Sequence, residues 1–247
     1  MEKMIHLAAQ YLAAAGISFV AKKDDDSHTN LGFSIAKNCM ETHALSENGD
    51  LLSLNYKNFS LNWNSENTNS VFLLDGATHS DVLNWLQETS KTVLNKSYDY
   101  EFHYDLPYEI MADFKLELVA VNRLAELLQL RILAQSALEE TLKGNNLASP
   151  IRTWPHHFDS GAYARLNDHI AVGFGLAIPD TVCKEHYFYI SGYKDHTAIP
   201  TAGFSSLSKG IWKNDGFTGA VLPAETVDKS AAILFFKEAI ENYKKIN

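Results

Sequence analysis

Phe114-Lys115-Leu116-Glu117-Leu118-Val119-Ala120-Val121-Asn122-Arg123-Leu124 lies in the longest uninterrupted helical pattern, from about Ala112 to Lys143, with no Gly or Pro until Gly144. Phe114, Leu118, Val121, Leu124, Leu128 and Ile132 recur at helical spacing, and Leu116, Val119, Leu127 and Leu130 cover much of the other side. A helix this apolar all round is predicted to be buried on more than one side and to run through the middle of the molecule. Asn122, Arg123, Glu126 and Arg131 remain as its narrow polar edge.

On the N-terminal side, Ile5, Ala8, Leu12 and Ala15 predict an amphipathic helix with Gly16 as its C-cap, followed by a short strand over Ile17 to Ala21. Five short β-preferring runs follow: Leu31 to Ala36, Met40 to Leu45, Leu51 to Tyr56, Phe59 to Trp63 and Val71 to Leu74. Turn residues separate them, with Asn48-Gly49 the strongest hairpin signal and Asn64 to Asn67 another, so the region reads as an antiparallel meander. Thr78 or Ser80 then caps a helix burying Val82, Leu86, Thr89 and Val93. Tyr98-Asp99-Tyr100-Glu101-Phe102-His103-Tyr104 alternates like one more strand, ended by Pro107.

On the C-terminal side, strands are expected around 152–159, over His169 to Ile178, His186 to Ile190 and Gly216 to Pro223, with a long polar connection from Lys194 to Lys213. A closing helix from about Thr226 to Lys244 buries Ile233, Phe236 and Ile240. The expected class is α+β, with antiparallel sheets in two halves, 1–108 and 145–247, each strands then helix, joined by the central helix over 109–144. One continuous sheet satisfies the same pattern.

With 21 Lys and Arg against 30 Asp and Glu, the net charge is -9, which argues against nucleic acid as a partner. No apolar run approaches the roughly 20 residues of a membrane span. The first helix has His6 and Gln10 within it and Glu2 beside Lys3, which favours a folded helix over a secretion signal. Cys39 and Cys183 lie far apart and are expected to be free thiols in a reducing cytoplasm.

Chemistry concentrates in Ser149-Pro150-Ile151-Arg152-Thr153-Trp154-Pro155-His156-His157-Phe158-Asp159. Read as a strand, 152–159 places Trp154, His156 and Phe158 on one face, and Thr153, His157 and Asp159 on the other. His157 and Asp159 then have the H-x-D spacing of a two-His, one-carboxylate metal site, with His186 or His196 as third ligand and Arg165 available for an acidic co-substrate. In the structural alternative one His bonds the backbone, and Asp159 pairs with Arg152 or Arg165 to close a loop. Glu185, Tyr187 and Tyr189 share a face of the next strand, with Tyr193 four residues on, as in an aromatic-lined ligand pocket or a Tyr-rich sheet packed on helices. Ser206-Leu207-Ser208-Lys209 has S-x-x-K spacing but lies in a polar loop, and Gly173-Phe174-Gly175 lies inside a strand with no helix after it.

Trp154 to Asp159, Gly173-Phe174-Gly175, Glu185 to Tyr189 with Tyr193, and Gly219-Ala220-Val221-Leu222-Pro223 resemble a family of bacterial proteins classed only as a domain of unknown function. Ile5-His6-Leu7, Phe59-Ser60-Leu61, Val71 to Leu86 and Lys143-Gly144 extend the resemblance over nearly the whole chain. It implies a bacterial, cytosolic protein and carries no activity. Two functions remain expected: a protein binding a small ligand or partner beside Trp154, His156, Arg165, Glu185, Tyr187 and Tyr193; alternatively, a metal-dependent hydrolase or oxygenase. The latter holds a divalent ion through His157, Asp159 and His186 to activate water or oxygen.

Overall fold

In the computed structural model, which describes residues 1–66, 68–106, 108 and 110–246, the long pattern around residue 120 is not one helix. The helix covers only Val121–Gly144. Ala112 and Asp113 form a turn and residues 114–120 are not helical, because Phe114-Lys115-Leu116-Glu117-Leu118 also alternates at period two: Leu116 is fully buried, while Lys115 and Glu117 are exposed. Their backbone is used by residues 76–79, much earlier in the chain, through Gly76 N to Leu116 O (2.8 Å), Leu116 N to Ala77 O (2.9 Å) and His79 N to Phe114 O (2.8 Å). The true helix is also not apolar all round. Leu124, Leu127, Leu128, Arg131, Ala134, Ala137, Leu138, Thr141 and Leu142 form one buried stripe, and Val121 and Gln129 are exposed.

The chain divides into two compact units, Met1–Leu130 with Thr153–His156, and Arg131–Arg152 with His157–Asn247. Both contain antiparallel strands and helices, so the fold is α+β, with one five-stranded and one seven-stranded sheet.

The first unit opens with α1 (Glu2–Phe19). Gly16 does not end it. A Cβ there would lie 2.7 Å from His28 O and 3.2 Å from the Thr29 Cα, so glycine admits a close backbone approach, and Ile17 to Phe19 are helix rather than strand. The sheet is β1 (Gly32–Ser34), β2 (Cys39–Glu41), β3 (Leu51–Asn55), β4 (Ser60–Asn64) and β5 (Asn69–Leu73), paired in chain order as the expected meander. Register places Leu54 opposite both Met40 and Leu61, and Leu52 opposite Trp63, all buried. Trp63 meets Phe19 of α1 (6.1 Å), and Phe72 meets Trp85 (5.3 Å) of α2 (His79–Leu94). Thr78 caps α2 in a capping box with Asp81. Asn67, expected in the turn before β5, lies outside the described residues.

Residues 98–104, expected as one more strand, belong to none, and His103 and Tyr104 lie in a bend. Their aromatic side chains point inward and are held by α1: Tyr98 donates to Tyr11 O (3.0 Å), and Tyr104 donates to Gln10 Oε1 (2.7 Å). Alternation here records a buried face without a partner ladder. Pro107, expected to end this segment, is outside the described residues.

The second sheet comprises β6 (Arg152–Trp154), β7 (Asp159–Arg165), β8 (Ile170–Ala177), β9 (Tyr187–Lys194), β10 (Thr197–Ala198), β11 (Ile211–Lys213) and β12 (Gly219–Pro223). The order is β11-β12-β9-β8-β7-β6, with β10 on β9. Four expected strands became seven because 152–159 is broken and the polar connection contains β10 and β11. The alternating set Val172, Phe174, Leu176 on β8 and Phe188, Ile190 on β9 is buried. Phe236 of α4 (Lys229–Tyr243) packs on this face, 5.2 Å from Phe174 and 5.7 Å from Phe188. Phe235 and Phe236 are buried, whereas Ile233 is only partly so. No helix among the described residues is long and apolar enough to cross a membrane.

Candidate functional site

The segment 152–159 is not a strand. Pro155 to Phe158 form a turn between β6 and β7, and Phe158 takes a left-handed backbone (φ 59°). Asn38 (φ 57°) and Phe59 (φ 46°) end two other four-residue turns of the same kind, before β2 and β4. The face-by-face alternation that paired His157 with Asp159 therefore does not exist. Phe158 is a ring pinned inward at 1% exposure, and His157 is exposed at the turn.

Arg131, expected at a polar helix edge, explains how the turn is held. The residue is 6% exposed, and its guanidinium donates to Phe158 O and to Ser160 Oγ, each at 2.7 Å, and stands 4.3 Å from the Phe158 ring centroid.

Asp159 accepts a 2.5 Å hydrogen bond from the Tyr189 hydroxyl, an arrangement neither reading of the hexapeptide contained. Burial first, and Asp159 second, push the Tyr189 phenol well above its ordinary pKa, so it stays a donor. His186 is buried before β9, and its carbonyl accepts from Ala224 N (2.8 Å). Among the described residues no group of three or more His, Cys, Asp or Glu is placed to hold a metal ion. His157, Asp159 and His186 thus do not assemble as the expected divalent-metal site.

Trp154 and His156 belong to the first unit, where their rings are 6.1 Å apart and His156 lies 5.4 Å from Tyr104. Arg165, Glu185, Tyr187 and Tyr193 belong to the second. Glu185 precedes β9 and is not on its face, and the Tyr187 hydroxyl is taken by Asp180 Oδ2 (2.9 Å).

Arg165 and Tyr193 do converge. Register sets Arg165 opposite Ala171 and Ala171 opposite Tyr193, while the next row on that face starts with Tyr163 opposite Gly173. The Tyr163 and Tyr193 rings are 6.0 Å apart at 45°. At this end of the sheet a hollow of about 60 Å³ is lined by Tyr163, Arg165, Asp168, Tyr193, Asp195 and His196. His169 also lines it, with Nδ1 3.4 Å from Asp195 Oδ1. The chain matches no protein-family model, no curated protein and no solved structure.

Sequence reasoning passed over Tyr163, Asp168, His169 and Asp195. A signal was present: Asp-His occurs twice, at 168–169 and 195–196, each time just after a strand that carries an outward tyrosine. Antiparallel pairing of β8 with β7 and β9 brings both dipeptides to one end of the sheet.

Proposed function

We propose that the chain is a small-molecule-binding protein whose site is the hollow at the Arg165 end of β7, β8 and β9. The observation that carries this reading is the convergence of two tyrosine rings and an arginine, Tyr163 and Arg165 from β7 and Tyr193 from β9, on an open concavity with further polar groups at its rim. Aromatic faces beside convergent polar groups supply both contact area and orientation for a ligand. Tyr163 is 54% exposed there, more than packing of the sheet requires. We place the protein in the bacterial cytoplasm and without nucleic-acid partners, on its free thiols, its net charge of -9 and the family resemblance.

Thermal-shift screening of the whole chain against a chemically diverse set of metabolites tests the assignment. At least one compound is expected to raise the melting temperature of the parent protein and to lose that effect in Tyr163→Ala. A set in which no stabilising compound depends on Tyr163 overturns it.

A further inference from the structure

Gly173 is a glycine that its own fold does not demand. It lies in the interior of β8, where glycine weakens a strand and often marks the close approach of a ligand. A Cβ built on it would meet only the Tyr163 ring at 3.6 Å and the Tyr193 ring at 3.7 Å, ordinary contact distances, and its φ is not in the left-handed region. The two tyrosine rings therefore lie against Gly173, and the hollow beside them is lined by Ala171 of the same strand.

The rim sets the chemistry. Arg165 is the only permanent cation among the lining residues, against the two carboxylates of Asp168 and Asp195. The Arg165 guanidinium is moreover partly occupied by Asp168 O at 3.2 Å. An anionic ligand meets repulsion here. A hydroxyl, which both donates and accepts, finds acceptors in Asp168 and Asp195 and donors in Arg165, His169 and His196. Asp195 and His196 are held in left-handed backbone (φ 47° and 68°) in the turn between β9 and β10, positions that glycine or asparagine fill more easily.

From the paired tyrosine rings that Gly173 seats and the mixed donor and acceptor rim, we infer that the hollow takes a neutral saccharide. One sugar ring lays its C–H face on Tyr163 and Tyr193 beside Ala171, and its hydroxyls bond Asp168, Asp195 and Arg165. This rests on the proposed function and narrows it to a ligand class.

Saturation-transfer NMR on the full chain with maltose, cellobiose and chitobiose, beside citrate and AMP, provides the test. At least one saccharide is expected to receive saturation at its ring C–H protons. Tyr163→Ala should weaken that binding about tenfold, equivalent to about 1.4 kcal/mol. Asp195→Asn with His196→Gly, which keeps both rings and suits the turn, should weaken it comparably while leaving the fold intact by circular dichroism. Saccharide binding indifferent to both variants overturns the inference. Tyr163-dependent binding of citrate or AMP alone overturns the saccharide and leaves the proposed function standing, and binding of none of the probes, together with a failed thermal-shift screen, overturns both.

Discussion

The Tyr189 phenol reaches over strand β8 to donate to Asp159 at 2.5 Å, and it can do so because Gly161, Gly175 and Tyr189 stand in one cross-strand row. A Cβ on Gly161 would sit 2.9 Å from the Tyr189 hydroxyl and 3.2 Å from Phe174 O. Tyr189→Phe removes a hydrogen bond to a carboxylate and is expected to cost about 1.5–3 kcal/mol in chemical denaturation. Gly161→Ala should also destabilise, by displacing the same hydroxyl.

Tyr189 and Tyr98 are raised well above the ordinary tyrosine pKa, mainly by burial, and Tyr11, Tyr100 and Tyr104 are raised for the same reason. The unfolded chain ionises its tyrosines near pH ~10, before the folded one, so this contribution is whole below that pH and is lost as pH rises beyond it. Tyrosinate absorbance should therefore appear together with loss of secondary structure in an alkaline titration. Full tyrosinate absorbance from a still-folded protein contradicts this.

His79 is buried, accepts or donates at 2.8 Å with the Tyr11 hydroxyl, and has its pKa lowered by desolvation; His28 is lowered mainly by the same cause. Below pH ~6.5 the unfolded state binds protons that the folded state refuses, so stability falls with pH until the lowered folded values are passed. Each histidine contributes a slope of at most about 1.4 kcal/mol per pH unit. His79→Gln should reduce the acid slope of the unfolding free energy, and an unchanged slope refutes the assignment.

Arg131 holds the turn before β7 through a carbonyl, a hydroxyl and a ring face. Arg131→Met leaves Phe158 O and Ser160 Oγ without that donor and should cost about 1.5–3 kcal/mol. Arg131→Lys should recover only part of it, because a single ammonium lacks the planar fork that spans both acceptors. Equal stability of the Lys variant and the parent in urea unfolding rules out the fork.

Asp195 and His196 hold positive φ without being glycine. Asp195→Asn with His196→Gly should stabilise the folded chain by about 1–2 kcal/mol, since such backbone costs about 1 kcal/mol or more per residue. A gain in melting temperature accompanied by loss of ligand response is the expected signature of a turn kept for binding.

The two thiols should differ in reactivity. Cys39 is 2% exposed, and burial first, then Glu41, raises its thiol to about 12, whereas Cys183 is partly exposed. One equivalent of a thiol reagent is expected to react rapidly with native protein and the second only on unfolding.

How far the residues alone could be read follows from which patterns were unambiguous. The meander was legible because Leu52, Leu54, Leu61 and Trp63 alternate with polar residues between turn signals, and period two with turns has one common solution. Phe114 to Leu118 was not, because spaced leucines fit both a helix and an extended segment, and the deciding partners, Gly76 to Ser80, are hydrogen-bonded from a distant place in the chain. Trp154 to Asp159 misled for a related reason: alternation was assumed where Phe158 turns the backbone left-handed.

Fold class, the five-strand meander, a helix cap at Thr78 or Ser80 and the reserve of aromatic and histidine side chains were determined by the sequence itself, through local propensity and periodicity that need no distant partner. Which polar groups are spent inside and which are left open was decided only by tertiary structure. Asp159 is claimed by a tyrosine 30 residues away, Arg131 by a turn 27 residues away, and Tyr163 and Tyr193 meet only because β7, β8 and β9 pair in one register. Side-chain convergence depends on long-range register, and a single chain read in order carries no direct record of it.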